Sequence, residues 1–81
     1  MQEILILSRC QAERVSPKTK KRFFRFHFKG FYNGVKIKEI HVYPKGSDHI
    51  TKGDDYLLWV ALNSVENSIL RVVLLKYKKI E

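Results

Sequence analysis

Apolar and polar positions alternate along most of this chain, and the places where the alternation stops divide it into five stretches. Residues two apart in a β-strand share a face, so such alternation predicts strands with one side buried. The first stretch, "ILILSRCQAERV" from Ile4 to Val15, puts Ile4, Ile6, Ser8, Cys10 and Ala12 on one side and Arg9, Gln11 and Glu13 on the other. "SPKTK" breaks the pattern with a proline and short polar residues and predicts a loop. A second strand is expected from Arg22 to Tyr32. It ends at Asn33 and Gly34, a pair suited to the two positive-φ positions of a type I′ hairpin turn. "VKIKEIHVY", Val35 to Tyr43, is the third strand. "PKGSDHITKGDD" is polar and too broken for a helix. "YLLWVAL" (Tyr56 to Leu62) and "ILRVVLLKYKKI" (Ile69 to Ile80) complete the set, joined by the polar "NSVENS". No internal repeat or low-complexity segment interrupts this order, which predicts one domain over residues 1–81.

Side-chain direction separates the two faces of the second strand. Phe24, Phe26, Phe28, Gly30 and Tyr32 form one face, an apolar stripe suited to a core; Phe23, Arg25, His27, Lys29 and Phe31 form the other. A two-residue turn at Asn33–Gly34 sets Phe31 opposite Lys36 and Lys29 opposite Lys38. The third strand then changes phase, because Val35 and Ile37 share one face while Ile40 and Val42 fall on the other. A β-bulge near Lys38 and Glu39 would return Ile40 and Val42 to the core and leave Lys36, Lys38, His41 and Tyr43 outside. Without a bulge, Ile40 and Val42 would face outward among the basic residues.

Five strands in 81 residues must protect their edges, and closure into a small barrel does so. Three strands in a meander, a longer connection and a final hairpin resemble the OB-fold, a five-stranded Greek-key barrel. "ITKGDDYLLWVAL" and "ILRVVLLKYKKIE" resemble the last two strands of small bacterial single-stranded-DNA-binding and primosome proteins, in which a glycine precedes the fourth strand and a basic-aliphatic strand closes the barrel. The expected class is therefore all-β, a small OB-like Greek-key barrel. The lack of a helical pattern between strands three and four keeps an SH3-like barrel or an open antiparallel sheet as alternatives.

Composition then changes the picture in one respect. A hydrophobic content of 44% is that of a folded chain, and no apolar run approaches the length of a membrane span. Met1 leads into "QEILIL", without the basic start and small-residue cleavage site of a signal peptide, and the single cysteine cannot form an internal disulfide; both suggest a cytoplasmic protein. The charge is the exception. Of the net +8, the whole excess lies between Arg14 and Lys38, where nine basic residues and six of the ten aromatics occur with no acid; the remainder holds seven basic against eight acidic residues. Such a polarised field attracts polyanions.

Flat rings interleaved with cations are what a single-stranded nucleic acid needs, because bases stack on rings and Lys and Arg neutralise phosphates. The candidate binding residues are Lys18, Lys20 and Lys21 in the first loop, Phe23, Arg25, His27, Lys29 and Phe31 on the second strand, and Lys36, Lys38, His41 and Tyr43 on the third. In the OB-fold that face and that loop are the customary site, so the resemblance implies a DNA or RNA strand as partner. The competing expectation is a protein-interaction subunit whose exposed aromatic and aliphatic side chains are covered by a partner or a second copy. Catalysis has little to work with. His27, His41 and His49 lack metal-ligand spacing, Asp54 and Asp55 suit a turn, and Cys10 sits among apolar neighbours. No enzyme activity, metal or cofactor is expected. The direction of Trp59, between Leu58 and Val60, is left open.

Overall fold

The computed structural model describes residues 3–45 and 49–81. Its elements are β1 (Glu3–Val15), β2 (Arg22–Tyr32), β3 (Val35–Tyr43), β4 (Asp55–Glu66) and β5 (Ile69–Ile80). They close into a barrel in the order β1-β2-β3-β5-β4, with β1 also pairing β4. All neighbours are antiparallel except β3 and β5, which run parallel over Glu39–Tyr43 and Ile69–Val73. The chain is thus an all-β, OB-like barrel, and the described residues include no helix long and apolar enough to cross a membrane.

Closure depends on bends. β1 pairs β4 from Glu3 to Arg9 and β2 from Cys10 to Val15, and it turns from one to the other where Gln11 is inserted between the Cys10↔Phe26 and Ala12↔Arg25 pairs. Leu75 is likewise extra between Trp59↔Lys76 and Val60↔Leu74, and Asn63 between Leu62↔Val72 and Ser64↔Arg71. Each bulge adds local twist, which lets long strands coil around so narrow a core.

The core is the alternation made solid. Phe24, Phe26, Ile37, Ile40, Val42, Leu58, Val60, Leu70, Val72 and Leu74 are all essentially buried, with Phe28, Tyr32 and Tyr77 packed against them. Burial of side chains this size contributes about 1.5–3 kcal/mol each before conformational entropy is set against it. Among the described residues no helix lies between β3 and β4. Ile50 of this connection is buried in the core, and the chain around it is tied by backbone amides: His49 donates to the Tyr77 hydroxyl, Thr51 to the Tyr56 hydroxyl, and Gly53 to the Cys10 carbonyl. The polar connection expected here includes residues 46–48, which lie outside the described residues.

Two hairpin turns frame the sheet. Asn33 and Gly34 both have positive φ, 48° and 79°, as the type I′ expectation required. Asn67 and Ser68 do the same at 52° and 65°, so β4 runs on to Glu66 and the polar "NSVENS" is mostly strand, not a linker. The alternation hid this because Asn63 is the inserted residue, which shifts the phase just where the polar run begins.

The β2–β3 register holds as expected next to its turn, with Phe31 opposite Lys36 and Gly30 opposite Ile37. It then shifts by one, leaving Phe28 and Lys29 against Lys38, so the extra residue lies on β2. Lys29 and Lys38 therefore face each other across an irregularity, not as a regular pair. Ile40 and Val42 are buried, which is the outcome a bulge at this point was expected to produce. Pairing with β1 stops at Phe26 and pairing with β5 stops at Glu39. The Lys38 amide still donates to the Ser68 carbonyl at 2.8 Å, and the hairpin beyond it, from Phe28 to Ile37, extends past both neighbouring strands as a two-stranded ribbon.

Candidate nucleic-acid interface

The ribbon and the first loop lie along one side of the barrel and carry most of the sequence-predicted residues. His27, Lys29, Phe31, Lys36 and Lys38 are exposed, and Phe31 at 69% is the most open of the large hydrophobic side chains among the described residues. Inward partners hold the ribbon in place: Phe28, Tyr32 and Ile37 point back to the core while their neighbours point out. Gly30 lets this happen, since a Cβ there would lie 3.3 Å from the Phe28 ring. Phe28, Ile37 and the three lysines Lys29, Lys36 and Lys38 line a shallow depression of 390 Å³. Lysines this close repel one another, and an anion between them relieves that repulsion.

Nearer the barrel the face is built differently. Phe23 is partly buried and stacks on the His41 ring at 4.5 Å between centroids and 25° between planes; the Tyr43 ring lies 5.5 Å away, tilted by 36°. Phe23 is thus one member of a three-ring platform instead of a free ring like Phe31. The His41 side chain is only 12% exposed, and its Nε2 lies 2.7 Å from Glu39 Oε1. Arg25 reaches the other oxygen of Glu39 at 3.8 Å, while its own Nε is buried with no hydrogen-bond partner. Glu39 follows directly on the acid-free segment and stands among its cations. Along β2, Phe23 and Phe31 are eight residues apart, about 26 Å at the rise of a strand, too far to clasp a single base. His27 Nδ1 lies 3.3 Å from the Gln11 amide nitrogen, which ties the ring to β1.

The loop between β1 and β2 is ordered by its own backbone. Ser16 donates its amide to the Lys21 carbonyl at 2.9 Å, Lys20 donates to Ser16 at 2.9 Å, and Lys20 takes a φ of 61° to close the turn. Lys18, Lys20 and Lys21 all project into solvent. Lys18 and Lys21 also line an open cleft of 690 Å³, whose other walls include Tyr43, Asn63 and Arg71. Arg71 and Asn63 were not among the expected residues. Arg71 lies opposite His41 across the parallel β3–β5 pair and is held by Glu66 at 3.3 Å. A lone charge in the apolar run "ILRVVLL" was the available signal, but placing it requires the pairing of strands far apart in sequence.

The other chemically capable groups are occupied. Cys10 is buried, and burial pushes its thiol up from its ordinary value, away from the reactive thiolate. Asp54 pairs with Lys79 at 3.4 Å and Asp55 with Arg9 at 2.9 Å. Among the described residues no three His, Cys, Asp or Glu side chains gather as a metal site. Trp59 faces the outside of the barrel with Lys76 Nζ 4.9 Å from its ring centroid. No family model matches this chain, and neither a curated protein nor a solved structure matches it.

Proposed function

We propose that this chain is a non-catalytic module that binds single-stranded nucleic acid, DNA in the first instance or RNA, along the β2–β3 face. The observation that carries the reading is the combination on the projecting ribbon: the open Phe31 ring, with Lys29, Lys36 and Lys38 beside it and no acid among its outward side chains. A strand laid along this face stacks a base on Phe31 and passes the Phe23–His41–Tyr43 platform. It then reaches the cleft where Lys18, Lys21 and Arg71 meet its phosphates. Extended backbone with splayed bases suits this surface; a duplex keeps its bases stacked on each other and leaves Phe31 without a partner.

Fluorescence anisotropy with labelled single-stranded and duplex oligonucleotides of equal length, at two salt concentrations, tests the reading. Tighter binding of the single strand, with an affinity that falls as salt rises, is expected. Equal affinity for duplex, or indifference to salt, would sink it.

A further inference from the structure

The outer wall made by β1, β4 and β5 has no part in that reading, and strand register lays it out as a grid. Leu5 lies opposite Trp59 and Leu7 opposite Leu57 across β1–β4; Trp59 and Leu57 in turn lie opposite Lys76 and Lys78 across β4–β5. Leu5 is 58% exposed and Leu7 67%, with Leu57 and Trp59 partly buried beside them. The Arg9–Asp55 ion pair closes one border of the block, and Glu3 stands at the other, two positions from Leu5. The inner side chains of the same stretch, Ile4 and Ile6, already pack in the core. The first half of β1 is therefore apolar on both faces, the pattern of a strand that is covered on both sides.

We propose that this wall docks an acidic, apolar segment of a partner protein, whose apolar side chains seat on Leu5, Leu7, Leu57 and Trp59 and whose carboxylates meet Lys76 and Lys78. Charge selects the occupant. Among the described residues neither lysine has a carboxylate partner, and Asp55 is already held by Arg9. A second copy of this chain would bring another lysine column to the same interface, whereas an acidic segment brings carboxylates to two lysines that have none. The barrel order β1-β2-β3-β5-β4 sets the centre of this wall, β4, away from the β2–β3 face, so the partner and a nucleic acid occupy different surfaces. The inference does not depend on nucleic-acid binding.

Trp59 is the one tryptophan of the chain, so its emission reports on this wall. The probe is a short synthetic peptide alternating Leu or Phe with Asp or Glu. One control has Lys in place of the acids, and a second has Ser in place of the apolar residues. The acidic apolar peptide should shift Trp59 emission to the blue and saturate, with each control binding at least about tenfold more weakly. An acidic peptide is also drawn to the basic ribbon, and the variants separate the two surfaces. Leu7→Ser, at an exposed position, should weaken the emission-detected binding about tenfold, and Lys76→Glu with Lys78→Glu should weaken it severalfold. Lys36→Gln with Lys38→Gln should leave it unchanged. Binding without an emission shift, or equal binding of the lysine control, would overturn the proposal. So would sedimentation of the protein alone as a dimer that Leu7→Ser dissociates, since the wall would then belong to a second copy.

Discussion

Phe31 on β2 and Leu7 on β1 are exposed to nearly the same degree, 69% and 67%, and each stands on the outer side of a strand whose inner side fills the barrel. Their neighbours differ. Phe31 is set among Lys29, Lys36 and Lys38 on a hairpin that runs past its neighbouring strands, whereas Leu7 is set in a block with Leu5, Leu57 and Trp59 in a wall where β1 pairs β4 and β4 pairs β5. An exposed apolar side chain is unremarkable alone. A ring framed by cations suits a flat anion, and a leucine framed by apolar side chains suits another apolar surface. The chemistry around the residue assigns the surface, and one barrel has room for both.

The harshest way to break the comparison is to remove the core behind one face. Phe26 is completely buried one strand-face away from Phe31. Phe26→Ala should cost about 3–5 kcal/mol, a large part of the roughly 4–12 kcal/mol expected for a domain of this size. Phe31→Ala should stay within about 0.5 kcal/mol of the parent in a denaturant titration. If the two variants lose comparable stability, Phe31 is a packing residue and the ribbon face is structural.

Charge gives the next contrast. With on the order of four phosphates engaged, affinity for a single-stranded oligonucleotide should fall about 60-fold between 50 and 200 mM salt, a log–log slope near −3. Replacing Lys29, Lys36 and Lys38 together by Gln should flatten that slope by about 2, while replacing Lys76 and Lys78 by Gln should barely move it. Equal effects of the two lysine sets would mean that the protein's overall charge, not the ribbon, attracts the ligand.

Stacking gives a smaller effect of a different kind. Phe31→Ala should cost about 1–3 kcal/mol of single-strand affinity and leave the salt slope unchanged. Leu7→Ala, equally exposed, should leave oligonucleotide binding as it was. A flattened slope in Phe31→Ala would mean that the ring positions lysines and does not stack on a base.

Much of this frame was legible in the sequence because it is local. The Phe24–Phe26–Phe28 stripe, the Asn33–Gly34 turn and the phase change before Ile40 each depend on residues close in sequence, and each is present. The extension of β4 to Glu66 was hidden by the inserted Asn63 and by a turn that places Ser68, not glycine, at positive φ. Leu5 and Leu7 were overshadowed by Ile4 and Ile6: a run apolar on both faces shows that something is buried but not which face is left open. The placement of Arg71 beside His41, and the capture of Arg25 and His41 by Glu39, arise from pairings between strands and have no periodic signature.

Glu39 supplies the finest test, because it is the carboxylate that stands inside the basic face. It holds Arg25 and His41, and the phosphates of a bound strand would approach its negative charge. Glu39→Gln keeps the shape and a hydrogen bond to His41 but removes that charge and frees the Arg25 guanidinium. Pairs of this exposure are worth about 0.2–1 kcal/mol, so single-strand affinity should rise two- to fivefold at low salt. The gain should shrink as salt screens it. Stability should fall slightly, since Arg25 already has a buried Nε without a partner and would lose its counter-charge as well. An affinity that falls instead would mean that Glu39 earns its place by aiming Arg25 at the ligand. An affinity that does not change at low salt would mean that the strand never crosses β3 at this point. The platform of Phe23, His41 and Tyr43 would then be a structural cap, and the binding surface would shrink to the ribbon.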